Sequence, residues 1–293
     1  MVFAQNLSAP EGPVLLPDQS WLIVEMGPSK GCITHISADG KSRRIIGKIG
    51  RPNGLAVDKD GTIWVAESVN PPSLVKVTMG GDLEVMLTRC DGTSFLFPND
   101  LAFGPDGALY LTDSGILFNQ LVTPGGVIRH DFMDIPMDGR IYRIDVKTKH
   151  VETIDSGFRF TNGLAFGPDK NLYVAETLTG MIYRYRCADG KVVGRREAFG
   201  QIIDRGKGSR AFHGPDGMAF GLNGCLYVAV YGQGNITVLG PDGTVVGRIA
   251  TKGAKPTNVA FGAPGERKIY VTEDEYGVIE AIDVDTDGLP LYR

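Results

Sequence analysis

Residues 97–114 read FPNDLAFGPDGALYLTDS. The segment holds a turn, a short apolar run, an Asp-Gly turn and a second run in which bulky residues alternate with small or polar ones. Alternation with period two is the mark of a half-buried strand, and Asp-Gly between two such runs is a hairpin signal. The same phrase recurs outward in both directions. It appears as APEGPVLLPDQSWLIVEM from Ala9, RPNGLAVDKDGTIWVAES from Arg51, FTNGLAFGPDKNLYVAET from Phe160, GPDGMAFGLNGCLYVAVY from Gly214 and PTNVAFGAPGERKIYVTED from Pro256. The copies stand roughly 40 to 60 residues apart, the spacing of a repeat architecture. The C-terminal and N-terminal remnants together make up one further interval of that size.

Each repeat carries about four strand signals. In the second they fall at 55–57, 62–67, 74–77 and 83–87. Asp39-Gly40, Asp60-Gly61, Asp106-Gly107, Asp189-Gly190 and Asp242-Gly243 separate strand candidates elsewhere. The last repeat shows only three, at 259–261, 268–272 and 277–282, and VFAQNL at 2–7 is available as the missing outer strand. The pattern predicts an all-β chain, a six-bladed β-propeller of four-stranded blades, closed by the N-terminal strand joining the last blade. Such closure removes free sheet edges, which an open solenoid or a pair of sandwiches would leave exposed. No linker divides the chain, so residues 1–293 are expected to form a single domain.

Composition narrows the function classes. The formal net charge is −4, so no basic field argues for nucleic acid. No apolar run approaches the ~20 residues that cross a membrane. The N-terminus lacks a basic, then apolar, leader, so no signal peptide is expected. Cys32, Cys90, Cys187 and Cys225 show no metal-type pairing. A cytoplasmic protein with reduced thiols, working as a monomer or a dimer, is the expectation.

One oxygen-bearing residue marks each repeat: Glu11, Asn53, Asn99, Asn162, Asp216 and Asn258. A closed ring brings all six toward one axis. Two acids and several amides around an axis suit a hard cation such as Ca2+, with other divalent cations as alternatives. Asn, Asp and Gly ahead of a strand also build turns, and Asn53 and Asn258 fit that plainer role. Glu67, Asp113, Glu176 and Glu273 end second strands, and Tyr231 stands at the equivalent place in the fifth repeat; the acids either form a second cation site or bind substrate, or more plainly close blade turns or pair with nearby Lys and Arg. Two insertions stand out. GILFNQLVTPGGVIRHDFMDIPMDG, 115–139, falls between the second and third strands of one blade and is expected to be a lid. The other, 202–214, leads into Asp216.

EGP at 11–13, PND at 98–100, TNGLAF at 161–166 and PDGMAF at 215–220 resemble the senescence marker protein, gluconolactonase and luciferin-regenerating enzyme family. LYVAVYGQGNITV at 226–238 is similar to its drug-responsive bacterial lactonase branch. The resemblance covers nearly the whole chain. It implies a six-bladed propeller with a catalytic calcium ion in the central channel, held by Glu11, Asn99, Asn162 and Asp216. It implies hydrolysis of a lactone ring to the hydroxy acid, with Asp216 and Asn99 as catalytic residues and Asp216 acting as base or nucleophile. Relatives of similar architecture cleave organophosphates. An organophosphate or ester hydrolase, a cyclic-ester lyase and a non-catalytic scaffold are the alternatives. Sugar-lactone members carry an arginine two residues before the Asn of PND, where this chain has Phe97, which points to a less polar lactone. His213, Tyr231 and His130 join Phe97 as candidate substrate-binding residues.

Overall fold

The computed structural model describes residues 1–204, 206 and 211–293. Part of the second insertion, residues 205 and 207–210, therefore lies outside the described residues. Six antiparallel four-stranded sheets account for almost all of the chain. Five are simple meanders whose strands follow chain order. Their innermost strands are Pro10–Leu15, Pro52–Val57, Pro98–Phe103, Thr161–Phe166 and Gly214–Phe220. The sixth is built from Pro256–Phe261, Lys268–Glu273 and Val278–Asp283, with Val2–Ala4 as its outermost strand. Each innermost strand lies against that of the next blade, and the last lies against the first. The N-terminal strand pairs Val2 with Glu280 and Ala4 with Ile279. The Met1 ammonium donates to the Ala281 carbonyl at 2.7 Å, and the Ala281 amide donates back to the Met1 carbonyl at 2.8 Å. Chain ends nearly the full sequence apart thus close one sheet, as the three-stranded reading of the last repeat required.

The Asp-Gly pairs behave as hairpin chemistry demands. Gly40, Gly61, Gly107, Gly190 and Gly243 all have φ between 73° and 82°, a region costly for side-chain-bearing residues. The alternating strands bury one apolar face against each neighbouring blade. Val14, Leu22, Val24 and Ile33 of the first blade meet Leu55, Val65 and Val75 of the second. Trp64, Ala66 and Leu74 of the second meet Leu101, Leu111 and Tyr142 of the third. Equivalent cores fill every remaining interface, including that between the sixth blade and the first. With each fully buried aliphatic or aromatic side chain worth about 1.5–3 kcal/mol, these layers hold the ring together. All four cysteines are free. Among the described residues no helix is long and apolar enough to cross a membrane.

A seventh apolar cluster sits over one end of the channel. The insertion between Leu109–Asp113 and Gly139–Asp145 folds back there, carrying a short helix at Phe118–Leu121. Ile116, Leu121 and Phe132 from it pack on Phe97 and Phe160, with Phe118 and Phe212 at the margin. The lid is therefore seated on the entrances of the third and fourth blades.

Candidate active site in the central channel

Each innermost strand carries a register irregularity just after its start, between Pro98 and Leu101 in the third blade and at the matching place in the others. A bulge leaves a residue unpaired and re-aims its side chain, here toward the axis. Strand register defines two tiers of channel residues. The upper tier is Glu11, Asn53, Asn99, Asn162, Asp216 and Thr257. The lower tier, one residue on, is Gly12, Gly54, Asp100, Gly163, Gly217 and Asn258. This corrects the sequence alignment in the sixth blade. Val259 pairs with Val271 as Leu101 pairs with Leu111, so Thr257, not Asn258, is the counterpart of Asn99. Asn258 instead stands where Asp100 stands. Glycine elsewhere in that tier makes room: a Cβ on Gly217 would collide with the Asn258 side chain, and one on Gly54 with Asp100.

The two central amides are held in one orientation. Asn99 Nδ2 donates to Ser114 Oγ at 2.9 Å, and Ser114 Oγ donates to the Thr161 carbonyl of the next blade at 2.9 Å. Asn162 Nδ2 donates to Thr177 Oγ1 at 3.0 Å, and Thr177 Oγ1 donates to the Pro215 carbonyl at 2.8 Å. A hydroxyl has one proton. Since each spends it on a carbonyl, the amide must present its NH2 to the hydroxyl, and its carbonyl oxygen turns away. Asn162 Oδ1 and Glu11 Oε2 are buried and have no hydrogen-bond partner. Orphaned buried oxygens are rare in folded proteins and carry a desolvation cost of about 1–3 kcal/mol each. Three carboxyls share the same space. Burial, and then the charges of Asp100 and Asp216, push Glu11 well above the usual carboxylate range. Asp216 is raised by burial and by Asp100, and burial pushes Asp100 up to about 7. Among the described residues no group of three His, Cys, Asp or Glu side chains forms a metal-binding cluster, so any cation here must draw on amide oxygens as well.

The acids ending second strands clamp backbone. Glu67 accepts from the amides of Arg51, Val69 and Asn70, and Asp113 from those of Leu96, Phe97 and Gly115. Glu176 accepts from Arg159 N and Glu273 from Lys255 N. They fix the entry loops, in keeping with the plainer expectation that they close blade turns. In the fifth blade register places Val230 at this position, so Tyr231 stands one place further than the sequence alignment put it.

Tyr231 is nonetheless at the channel mouth. Burial, then Asp274 and Asp216, raise its hydroxyl pKa, so it stays protonated at neutral pH. Its ring meets Phe212 edge-on at 6.1 Å. Phe97 is buried between Phe118 and Phe160. His213 is partly buried, its Nδ1 2.7 Å from the Ala211 carbonyl, and lies against Gly232. His130 is exposed beside the Arg129–Asp131 ion pair; the lid packs inward through Phe132 instead.

Sequence reading passed over five residues of this site: Asp100, Arg51, Asp274, Ser114 and Thr177. Their signal lay in the repeats. Asp100 interrupts a column of glycines. Met26, Ser68, Ser114, Thr177, Tyr231 and Asp274 each follow the strand-ending position, and four of them touch or face channel residues.

The fold and this site define a six-bladed propeller whose channel is lined by mixed acid and amide oxygens. The model of the SMP-30/gluconolactonase/LRE-like region matches residues 72–274, more than half of the sequence, and the chain belongs to that family. The gluconolactonase of Zymomonas mobilis is 27% identical over 288 residues, covering 90% of this chain and 76% of that protein. The diisopropyl-fluorophosphatase of Loligo vulgaris is 27% identical over 307 residues, covering 98% of this chain and 93% of that protein. A solved gluconolactonase structure from Xanthomonas campestris matches with a TM-score of 0.77 at 21% identity, over 97% of this chain and 89% of its own.

Proposed function

We propose that this chain is a divalent-cation-dependent lactonase, with calcium the cation and a lactone opened to its hydroxy acid in the central channel. The observation that carries the cation is the pair of buried, unpartnered oxygens, Glu11 Oε2 and Asn162 Oδ1, beside the carboxyl of Asp216 and the oriented amide of Asn99. Hard cations take six to eight oxygen ligands of this kind, water completing the set. Glu11, Asn99, Asn162 and Asp216 would hold it. When bound, a divalent ion polarises a carbonyl and stabilises the oxyanion that develops on it.

The chain's own groups do the rest. Ser114 and Thr177 keep the amide oxygens of Asn99 and Asn162 turned inward. Asp216 takes up the proton of the attacking water as the water oxygen bonds to the lactone carbonyl carbon. The ring C–O bond then breaks, and the leaving ring oxygen takes that proton back from Asp216, giving the hydroxy acid. The neutral Tyr231 hydroxyl supplies a donor at the mouth on the Asp216 side. Phe97 and Phe160, covered by Phe118 of the lid, form an apolar wall that excludes water from one flank. The lactonase names of relatives such as the Zymomonas mobilis enzyme support the reading. The near-complete overlap with diisopropyl-fluorophosphatase supports a second reading, a phosphoester or P–F hydrolase using the same oxygens.

The test is acid release from aldonolactones, aliphatic lactones, aromatic lactones and a fluorophosphate. Each is run with calcium and after chelation. Calcium-dependent opening of one lactone class supports the first reading, and turnover of the fluorophosphate alone supports the second.

A further inference from the structure

The residues just outside the upper tier form a rim around the mouth. Backbone pairing identifies them blade by blade: Ala9, Arg51, Phe97, Phe160, Gly214 and Lys255. The rim is two-sided. Phe97 and Phe160 of the third and fourth blades make an aromatic half under the lid. Across the mouth from it the sixth and first blades contribute Lys255 and the small Ala9, while Arg51 of the second blade adjoins Phe97.

Arg51 is held in an unusual way. Its Cζ lies 4.5 Å from the Phe118 ring centroid and 5.3 Å from that of Phe97. Its Nη1 donates to Ser68 Oγ at 3.2 Å, the one side-chain hydrogen bond it makes among the described residues. A guanidinium has five donors in a planar fork. No carboxylate among the described residues lies within ion-pair distance of it. The nearest acid on its own blade, Glu67, is spent on the backbone amides of Arg51, Val69 and Asn70. The other charges facing it are Asp274, Glu11 and, at the rim, Lys255, whose charge acts on Asp274 from the other side. Burial lowers the Arg51 pKa to about 10, which still leaves it charged at neutral pH.

A partly desolvated guanidinium without an ion-pair partner is costly to keep, and breaking even requires an oxyanion. Guanidinium matches a planar oxyanion bidentately, and such charge-assisted pairs are about twice as strong as neutral hydrogen bonds. We propose that Arg51 is a substrate-binding, specificity-setting residue, and that this site selects lactones carrying an anionic planar oxygen group, a carboxylate or its like. The proposal builds on the lactonase reading and names its substrate class. It also refines the departure noted at Phe97: arginine is absent from the third blade's rim and present on the second's.

The experiment compares γ-carboxy-γ-butyrolactone with its carboxamide, identical in size and differing in charge. Arg51→Met keeps the stem that stacks on Phe118, and Arg51→Lys keeps charge without the fork; circular dichroism and thermal melting check that both fold. Wild type should prefer the carboxylate. Arg51→Met should lose about 10- to 100-fold in kcat/KM on it, carried by KM, and change less than about threefold on the carboxamide. Arg51→Lys should fall between. Equal losses on both compounds, or a wild-type preference for the carboxamide, overturn the proposal while leaving lactone hydrolysis intact. If neither compound is hydrolysed, thermal stabilisation by the carboxylate compound that disappears in Arg51→Met upholds the role of Arg51 in binding and counts against hydrolysis of this lactone class. No Arg51-dependent difference in either assay overturns the proposal.

Discussion

Replacing Thr177 with valine changes almost nothing in volume and removes one hydroxyl. That hydroxyl accepts from Asn162 Nδ2 at 3.0 Å and donates to the Pro215 carbonyl of the next blade at 2.8 Å. Both partners are buried, so each is left without its bond, at about 1–3 kcal/mol apiece. The expected loss is about 2–4 kcal/mol. For a chain of this size each kcal/mol shifts Tm by roughly 2–4 °C, so melting should fall by about 5–15 °C. The consequence for the site is larger than for the fold. Asn162 then keeps only its hydrogen bond to the Asp216 carboxylate to hold its amide, and loss of an orienting partner typically weakens metal affinity 10- to 100-fold. Calcium calorimetry on wild type, Thr177→Val and Thr177→Ser measures this directly. Serine retains the hydroxyl and should bind like wild type. A folded Thr177→Val with unchanged calcium affinity would refute the reasoning that the hydroxyl sets the amide's direction.

Four further outcomes are expected. Asp100 is held near 7 by burial, above the ~4 of an unfolded aspartate. Its contribution is therefore fully present below about pH 4 and is lost as pH rises through 7. Chelated protein should be about 2 kcal/mol less stable at pH 7 than at pH 5.5, with saturating calcium flattening the slope; chelated protein that gains stability over that range contradicts it. Phe97→Ala empties the centre of the lid cluster and should cost about 3–5 kcal/mol in chemical denaturation. Deleting residues 1–6 strips the outermost strand from the sixth blade, exposing the edge at Val278–Asp283; lowered melting with concentration-dependent aggregation in light scattering is the expected result. Glu67→Ala unclamps the entry loop that carries Arg51, and should raise KM for the preferred lactone more than it lowers kcat.

The ring was readable because its strands obey local rules. Asp-Gly turns, alternating runs and a missing fourth strand in the last repeat each follow from short-range chemistry. The channel oxygens of five blades were readable for the same reason, since each opens a strand behind a proline or threonine. The sixth misled because PTNV and PNDL share an asparagine that a bulge places one tier apart; only pairing with Thr272 and Val271 reveals it. Tyr231 misled likewise, since Val230 has taken the place of the clamping acid. Arg51 escaped attention because its sequence neighbours look like a turn. Its importance comes from rings on the next blade, Phe97 and Phe118, brought over it by tertiary packing. Ser114 and Thr177 are ordinary strand-end residues until the neighbouring blade supplies the carbonyl that fixes their protons.

The most direct test of a cation-dependent hydrolase in this channel is a calcium titration of the chelated protein, followed at once by calorimetry and by acid release from the lactone it opens fastest. Heat and activity should rise together to one calcium per chain with the same Kd, and Asp216→Asn should weaken binding and abolish turnover while melting cooperatively. Full activity under chelation, or undiminished turnover by Asp216→Asn, would contradict the assignment.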